Sequence, residues 1–291
     1  MATAAEWLEG ARPRTLPAAV SPVLAGSGVA WHHGGFDPLL AALAAVVALA
    51  LQVGVNYAND YSDGVRGTDA ERVGPLRLVG SGAAKPEAVK RAAFAAFGLA
   101  AVAGLVIVLL TGWWWLLAVG AAAILAAWFY TGGPRPYGYA GLGEVFVFLF
   151  FGVVAVAGTV AIQLGHVPAS GWWAAVAVGA LACALLVVNN LRDRDGDLLA
   201  GKRTLATRLS DRGTRWLYAG LVMAGGIAVL GVAAASDWWA MLGLLMVPVM
   251  VGPVGRVLGG AEGQDLIGVL RRTGIGELVC AGGLLVGLVV A

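Results

Sequence analysis

Residues 56–69 read N-Y-A-N-D-Y-S-D-G-V-R-G-T-D, and they follow a nearly uncharged run from Leu39 to Val55. If the helix predicted for that run continues, four polar side chains recur at i, i+3, i+4 and i+7 and share one face. These side chains are Asn56, Asn59, Asp60 and Asp63. Two glycines after them let the chain turn, so that Asp69 can fold back toward the same face. Carboxylates at a membrane boundary are costly unless a cation accompanies them, which indicates a metal site.

A second acidic stretch, residues 189–197, reads N-N-L-R-D-R-D-G-D and also ends an apolar run. On a continuous helix, Asn189 or Asn190 would share a face with Asp193 and Asp197. Two such clusters can hold divalent metal between them, and with the metal a diphosphate.

Composition predicts an all-α polytopic membrane protein with residues 1–291 forming one domain. Hydrophobic residues make up 59% of the chain and charged residues 12%, and the mean hydropathy is +0.82, far from soluble averages. At ~20 residues per helix, the length allows about nine spans around a central cavity. The predicted spans are about 16–31, 38–55, 92–110, 113–130, 142–164, 172 into the second acidic cluster, 216–235, 238–257 and 273–291. Both cysteines, Cys183 and Cys280, lie in apolar runs, so we expect buried thiols without a disulfide.

The positions of the basic residues predict the orientation in the cell membrane. With the N-terminus placed in the cytoplasm and nine spans, all 19 Lys and Arg residues fall on cytoplasmic connections, as the positive-inside rule requires. Most tryptophans lie at the opposite boundary, as in an aromatic belt. The two long polar loops, about 64–91 and 192–215, carry the acidic motifs. The cavity therefore opens to the cytoplasmic side, and the C-terminus lies outside.

The residues beside the carboxylates indicate what the site binds. Several cationic side chains accompany the two motifs: Arg66, Arg72, Arg77, Lys202 and Arg203. They could bind phosphate oxygens while the carboxylates hold a metal. A polar mouth above a cavity among apolar helices suits a diphosphate head with a long hydrocarbon tail. An allylic diphosphate would ionise to a carbocation-like centre that an electron-rich aromatic acceptor attacks, with aromatic faces lowering the energy of the positive charge.

Aromatic side chains flank the cytoplasmic connector between the fourth and fifth spans. They are Phe129, Tyr130, Tyr137 and Tyr139. Packing at the membrane boundary and a role in the site are both consistent with this pattern.

Five segments resemble the UbiA superfamily of intramembrane prenyltransferases, and most closely its menaquinone branch, the 1,4-dihydroxy-2-naphthoate polyprenyltransferases. The segments are R-P-R-T-L-P-A-A-V-S-P-V at 12–23, N-D-Y-S-D-G-V-R-G-T-D at 59–69, G-P-L-R-L-V at 74–79, Y-T-G-G-P-R-P-Y-G-Y-A-G-L-G-E at 130–144 and N-N-L-R-D-R-D-G-D-L-L-A-G-K-R-T-L-A at 189–206. The resemblance extends from residue 12 to about 216. The third acid usual in the superfamily would stand at Gly67, so Asp69 takes its place from a longer loop.

The resemblance implies Mg²⁺ as cofactor, a polyprenyl diphosphate as donor and 1,4-dihydroxy-2-naphthoate as acceptor. Demethylmenaquinone, diphosphate and CO₂ would be the products, and no nucleic acid would be involved. Among the implied ligands of the metal and diphosphate are Asn59, Asp60, Asp63, Asp69, Asp193 and Asp197, of which Asp60, Asp63, Asp193 and Asp197 would be catalytic. Diphosphate would meet Arg77, Asn190, Lys202 and Arg203. The acceptor would meet Tyr130, Arg135 and Tyr137, with its carboxylate near the guanidinium.

Two alternatives remain open at the level of sequence. A transferase of the same superfamily could use 4-hydroxybenzoate as acceptor, or a phosphoribosyl diphosphate as donor. A cation transporter could also place paired Asn and Asp half-sites at helix ends. Both acidic clusters lie at one membrane face, which disfavours the transporter.

Overall fold

The computed structural model of the protein describes residues 2–67 and 76–291, and these ranges are helical without a β-strand. In chain order the helices are α1 (Ala4–Gly10), α2 (Leu16–His32), α3 (Pro38–Arg66), α4 (Pro86–Thr111), α5 (Leu116–Phe129), α6 (Gly143–Leu164), α7 (Ala169–Arg192), α8 (Arg194–Leu199), α9 (Leu205–Arg208), α10 (Asp211–Ala235), α11 (Trp238–Leu258) and α12 (Asp265–Val290). Short 3₁₀ turns lie at Pro13–Thr15 and Tyr137–Ala140. The predicted all-α membrane class is confirmed.

Seven helices in the described part of the chain are long and apolar enough to cross a membrane: α3, α4, α6, α7, α10, α11 and α12. The other two predicted spans form α2, with 17 residues, and α5, with 14 residues. At 1.5 Å per residue both are shorter than the ~30 Å hydrocarbon core of a bilayer. The exact number of nine spans is therefore not confirmed.

Helix α3 carries the first acidic motif as one uninterrupted helix. The carboxylate of Asp37 caps its start by accepting hydrogen bonds from the amides of Leu39 and Leu40 at 2.8 and 3.0 Å. Its end comes at Gly67, whose φ of 72° is the left-handed conformation that glycine adopts without strain. The prediction that the helix continues through residues 56–63 is confirmed.

Helix α7 is the centre of the bundle. In its most apolar stretch 72% of the residues are buried inside the protein, against 28–50% for the other six long helices. Its alanines, glycines and valines pack against α6, α10 and α12. Gly179 permits a close approach to α6, because a β-carbon there would lie 3.0 Å from the α-carbon of Gly152. Small residues bring helix backbones together in membranes in this way.

The first predicted span packs against the last. Helix α2 contacts α12 along its length, and a β-carbon on Gly28 would lie 2.8 Å from the α-carbon of Leu285. Cys183 and Cys280 lie in the same interior as buried free thiols, as predicted.

The polar loops contain more helix than the sequence predicted. The loop predicted at 192–215 holds α8 and α9, and α10 already begins at Asp211. The connection between the last two predicted spans is shorter than expected, because α12 begins at Asp265. Helix α4 begins at Pro86, within the polar loop predicted at 64–91. These short helices bring the second acidic motif back toward α3.

The N-terminal helix α1 lies against the polar end of α3. The hydroxyl of Tyr57 donates to the carbonyl of Trp7 at 2.9 Å, and their rings meet edge to face at 5.6 Å. At the end of α1, Gly10 leaves room for the fully buried side chain of Leu78. Helix α1 and the turn at residues 77–80 together form one wall of the polar mouth.

Candidate active site

One buried lysine joins the two acidic motifs. The Nζ of Lys202 lies 3.8 Å from Oδ1 of Asp63 and 3.6 Å from Oδ1 of Asp197. The left-handed Gly201 turns the chain after α8, and the amide of Lys202 then donates to the carbonyl of Asp197 at 2.8 Å. All three side chains are almost fully buried. A cation already bridges the two carboxylates that the sequence assigned to opposite halves of one site.

Tyr139 and Arg77 complete the environment of Asp63. The hydroxyl of Tyr139 donates to Oδ1 of Asp63 at 2.5 Å, and the Lys202 ammonium lies 4.6 Å from the centre of the Tyr139 ring. A guanidinium nitrogen of Arg77 lies 3.9 Å from Oδ2 of Asp63. Sequence analysis left open whether Tyr139 packs at the membrane boundary or belongs to the site, and the contact with Asp63 places it in the site.

Asp60 binds the backbone of the turn at residues 77–80. Its two carboxylate oxygens accept hydrogen bonds from the amides of Leu78 and Val79 at 2.8 and 2.9 Å. Asn59 instead accepts a hydrogen bond from the hydroxyl of Thr131 at 2.7 Å. The first motif therefore connects α3 to two other segments of the mouth.

The second motif does not lie on one continuous helix. Helix α7 ends at Arg192 and Asp193 takes a non-helical conformation between α7 and α8. Both oxygens of Asp193 accept from the Arg192 guanidinium at 2.7 and 2.8 Å. Asn190 donates to Glu144 at 3.1 Å. The helix therefore breaks at Asp193, although the amides of Asp193 and Asp197 still donate to the carbonyls four residues before them. Among the ion pairs of the described residues, Asp197 joins the Lys202 bridge and Asp193 pairs with Arg192.

Two predicted cations lie elsewhere. Arg203 has an exposed side chain, although its amide donates to the carbonyl of Tyr139 at 2.9 Å. Arg135 is exposed and is not among the residues that line the cavity. The sequence prediction placed the acceptor's carboxylate at Arg135, and the structure does not bring that side chain to the cavity. Asp69 and Arg72 lie outside the described residues.

A largely apolar cavity of about 1240 Å³ begins at this mouth and extends between α2, α3, α4, α5, α6 and α7. Asn59 and Arg77 are among the polar residues that line its mouth, and most of the other lining residues are apolar, chiefly alanine, valine, leucine, isoleucine and phenylalanine. Such walls suit a hydrocarbon chain.

Tyr130 and Tyr137 line the cavity near its mouth. Their rings meet edge to face at 5.4 Å, and Tyr137 stacks on Phe146 with centroids 4.1 Å apart. Burial raises the pKa of the Tyr137 phenol, so it stays protonated and donates to the carbonyl of Ala126 at 2.9 Å. These rings present neutral, electron-rich surfaces to the cavity.

The carboxylates of the site fit an Mg²⁺ ion that is coordinated partly by the protein and partly by a diphosphate. Within residues 2–67 and 76–291, no three His, Cys, Asp or Glu side chains form a ready cluster. Asp63 and Asp197 supply hard oxygen donors on either side of a cation, which is the Lys202 ammonium. Mg²⁺ in proteins commonly takes one or two carboxylates and completes its coordination with phosphate oxygens and water.

Comparison with known proteins shows similarity along most of the chain. Residues 19–265 match the UbiA prenyltransferase family. A Mycobacterium tuberculosis protein described as 1,4-dihydroxy-2-naphthoate octaprenyltransferase is 52% identical, with 97% of this chain and 96% of that protein covered. An Escherichia coli protein of the same description is 37% identical, with 94% and 91% covered.

Solved structures agree in fold at low identity. A UbiA homologue from Aeropyrum pernix is 15% identical with a TM-score of 0.71, covering 94% of this chain and 97% of that one. A UbiA homologue from Archaeoglobus fulgidus bound to GPP and Mg²⁺ is 14% identical with a TM-score of 0.68, covering 98% and 100%.

Proposed function

The chain belongs to the UbiA prenyltransferase family, and on that premise we propose that it transfers a polyprenyl group from a polyprenyl diphosphate to 1,4-dihydroxy-2-naphthoate. Diphosphate and CO₂ leave, and the product is demethylmenaquinol, the reduced form of demethylmenaquinone. The acceptor is that named for relatives at 52% and 37% identity over more than nine-tenths of the chain.

The position of Lys202 carries this proposal. Its ammonium lies between Asp63 and Asp197, and Arg77, which also contacts Asp63, lines the cavity mouth. A diphosphate at this mouth meets two cations while its hydrocarbon tail enters the apolar cavity. In this proposal the charged head lies beside Lys202 and Arg77, and the apolar tail enters the cavity whose polar end Arg77 lines.

Mg²⁺ is the proposed cofactor, held by Asp63 and Asp197 and, as the sequence resemblance implies, by Asn59, Asp60 and Asp193. When bound, the metal neutralises the diphosphate and makes it a better leaving group. In this proposal Lys202 and Arg77 hold the phosphate oxygens on which charge develops as the C–O bond breaks. Tyr130 and Tyr137 face the allylic carbon and favour its positive charge. The apolar walls exclude water, which would otherwise capture the carbocation.

A direct assay tests the acceptor. Purified protein in detergent, given Mg²⁺ and a polyprenyl diphosphate, should consume 1,4-dihydroxy-2-naphthoate and release diphosphate and CO₂ in equal amounts. With 4-hydroxybenzoate no turnover is expected. Preference for the single-ring acid would contradict the proposed acceptor while leaving prenyl transfer intact. Metal-ion flux into liposomes without diphosphate release would favour the transporter instead.

We also propose that the N-terminus and both acidic motifs face the cytoplasm and that the C-terminus lies outside. Single cysteines at Ser81 and at His166 test this in a background lacking Cys183 and Cys280, because both positions are exposed and lie at opposite ends of the helices. A membrane-impermeant thiol reagent applied to intact cells should label the cysteine at 166 and spare that at 81. The reverse pattern would invert the orientation.

A further inference from the structure

The N-terminal segment 11–15 passes along the cavity wall and is fixed at both ends to α3. The side-chain amide of Asn56 donates to the carbonyl of Ala11 at 2.9 Å and to the hydroxyl of Thr15 at 3.0 Å. Gln52, one turn deeper, donates to the same hydroxyl at 3.1 Å. Two buried amides of α3 therefore define the path of this segment, and Arg12 lies between the fixed points.

Arg12 has an unusual backbone conformation. Its φ of 54° and ψ of 70° are left-handed, and within the described part of the chain no other non-glycine residue has a positive φ. An arginine in this region is strained and persists only when its surroundings impose the conformation. Glycine would fit the same backbone without strain. Retention of a long cationic side chain at this position points to a use for the guanidinium.

The Arg12 side chain faces the site. It is half-buried and lines the cavity mouth, close enough to Asp60 for an electrostatic interaction. The cations near the diphosphate position contact other acids: Lys202 and Arg77 contact Asp63. Arg12 thus brings a further positive charge to the cavity wall, on the N-terminal segment and apart from the Lys202 bridge.

We propose that Arg12 binds the carboxylate of the aromatic acceptor and thereby positions its ring for attack. This inference rests on the proposed function. A guanidinium matches the two oxygens of a carboxylate, and the carboxylate stands on or next to the carbon that is alkylated. The product has lost this group as CO₂, so Arg12 holds the substrate and releases the product. The structure thereby assigns to Arg12 the role that the sequence suggested for Arg135.

Steady-state kinetics of Arg12→Gln test the proposal, with Arg135→Gln and Arg212→Gln as matched losses of one positive charge at exposed arginines that do not line the cavity. For Arg12→Gln the KM of the acceptor should rise about 10- to 100-fold, the range for a lost hydrogen-bonded charge contact. The KM of the polyprenyl diphosphate should change less than about twofold, since that anion has Lys202 and Arg77. Neither matched variant should raise the acceptor KM comparably.

A second arm separates the carboxylate from the ring. Naphthalene-1,4-diol, which lacks the carboxylate, is used as a competitive inhibitor of wild type and Arg12→Gln. Its inhibition constant should be the same for both proteins. Arg12→Gly should raise the acceptor KM as Arg12→Gln does, while its thermal unfolding midpoint stays at or above that of wild type because the backbone strain is relieved.

Several outcomes would overturn the proposal. A rise in the donor KM alone would assign Arg12 to the diphosphate. Equal effects in Arg212→Gln or Arg135→Gln would show that the acceptor KM depends on overall charge and not on Arg12. Weaker binding of the diol to Arg12→Gln would show a distorted site. Failure of the wild-type protein to use the naphthoate would overturn the proposed function itself. This result is obtained before any variant is compared, so the two failures are distinguishable.

Discussion

Asp63→Asn lowers kcat by about 100-fold or more, the loss expected when a preorganised charge contact is removed from an active site. The substitution keeps the shape of the side chain and removes the charge that faces Lys202, Arg77 and the metal. The hydroxyl of Tyr139 can still donate to the amide oxygen, so we expect the variant to insert and fold normally. Initial rates of diphosphate release over a series of Mg²⁺ concentrations measure the effect.

Asp195→Asn is the matched control for this prediction. Asp195 belongs to the second acidic motif, but its side chain is 94% exposed and contacts only Arg194 at 3.7 Å among the described ion pairs. Its activity should stay within about twofold of wild type, as for most exposed ion pairs. Near-full activity of Asp63→Asn at limiting Mg²⁺ would contradict a metal or diphosphate role for the first motif.

Lys202→Gln should lower kcat/KM for the polyprenyl diphosphate on the order of 100-fold. The variant loses the ammonium between Asp63 and Asp197 and the contact proposed for the phosphate oxygens. Lys202→Arg retains the charge but not the position of a single Nζ over the Tyr139 ring, so we expect it to recover part of the activity. Rates at saturating acceptor and varied donor measure both variants.

Lys90→Gln provides the comparison for Lys202. Lys90 is exposed and also lies over aromatic rings, 5.6 Å from Tyr61 and 6.0 Å from Trp128. It shares the cation–ring contact but not the two carboxylates. Equal losses in the Lys90 and Lys202 variants would show that ring contacts, and not the bridge between the motifs, support activity.

The first motif was predictable because its geometry is local. Residues 56–63 lie on one helix, and helical spacing alone puts Asn56, Asp60 and Asp63 on one buried face. The all-α membrane class followed equally directly, since composition decides it. Spans α2 and α5 were less certain, because hydropathy does not reveal where a short helix ends.

The second motif and the cations depended on contacts that spacing does not encode. Arg192 pairs with its neighbour Asp193 at a helix end, whereas the prediction assumed that the helix continues through the motif. Tyr139 reaches Asp63 across 76 positions of sequence. Arg12 reaches the cavity because Asn56 holds Ala11. The sequence did contain one indication of a role for Arg12. Residues 12–15, R-P-R-T, belong to a segment that resembles the family, and their two arginines directly precede the first predicted span.

The contact between α2 and α12 has a consequence for biosynthesis. The segment 33–264 separates these two helices, and a ribosome adding about 5–20 residues per second needs on the order of ten seconds or more to deliver it. Until then the glycine-containing face of α2 that meets Leu285 has lipid or an insertion factor as its neighbour. Closure of the bundle is therefore a late event, and a nonsense codon ahead of α12 would leave uncovered the faces of α2 and of the central α7 that meet α12.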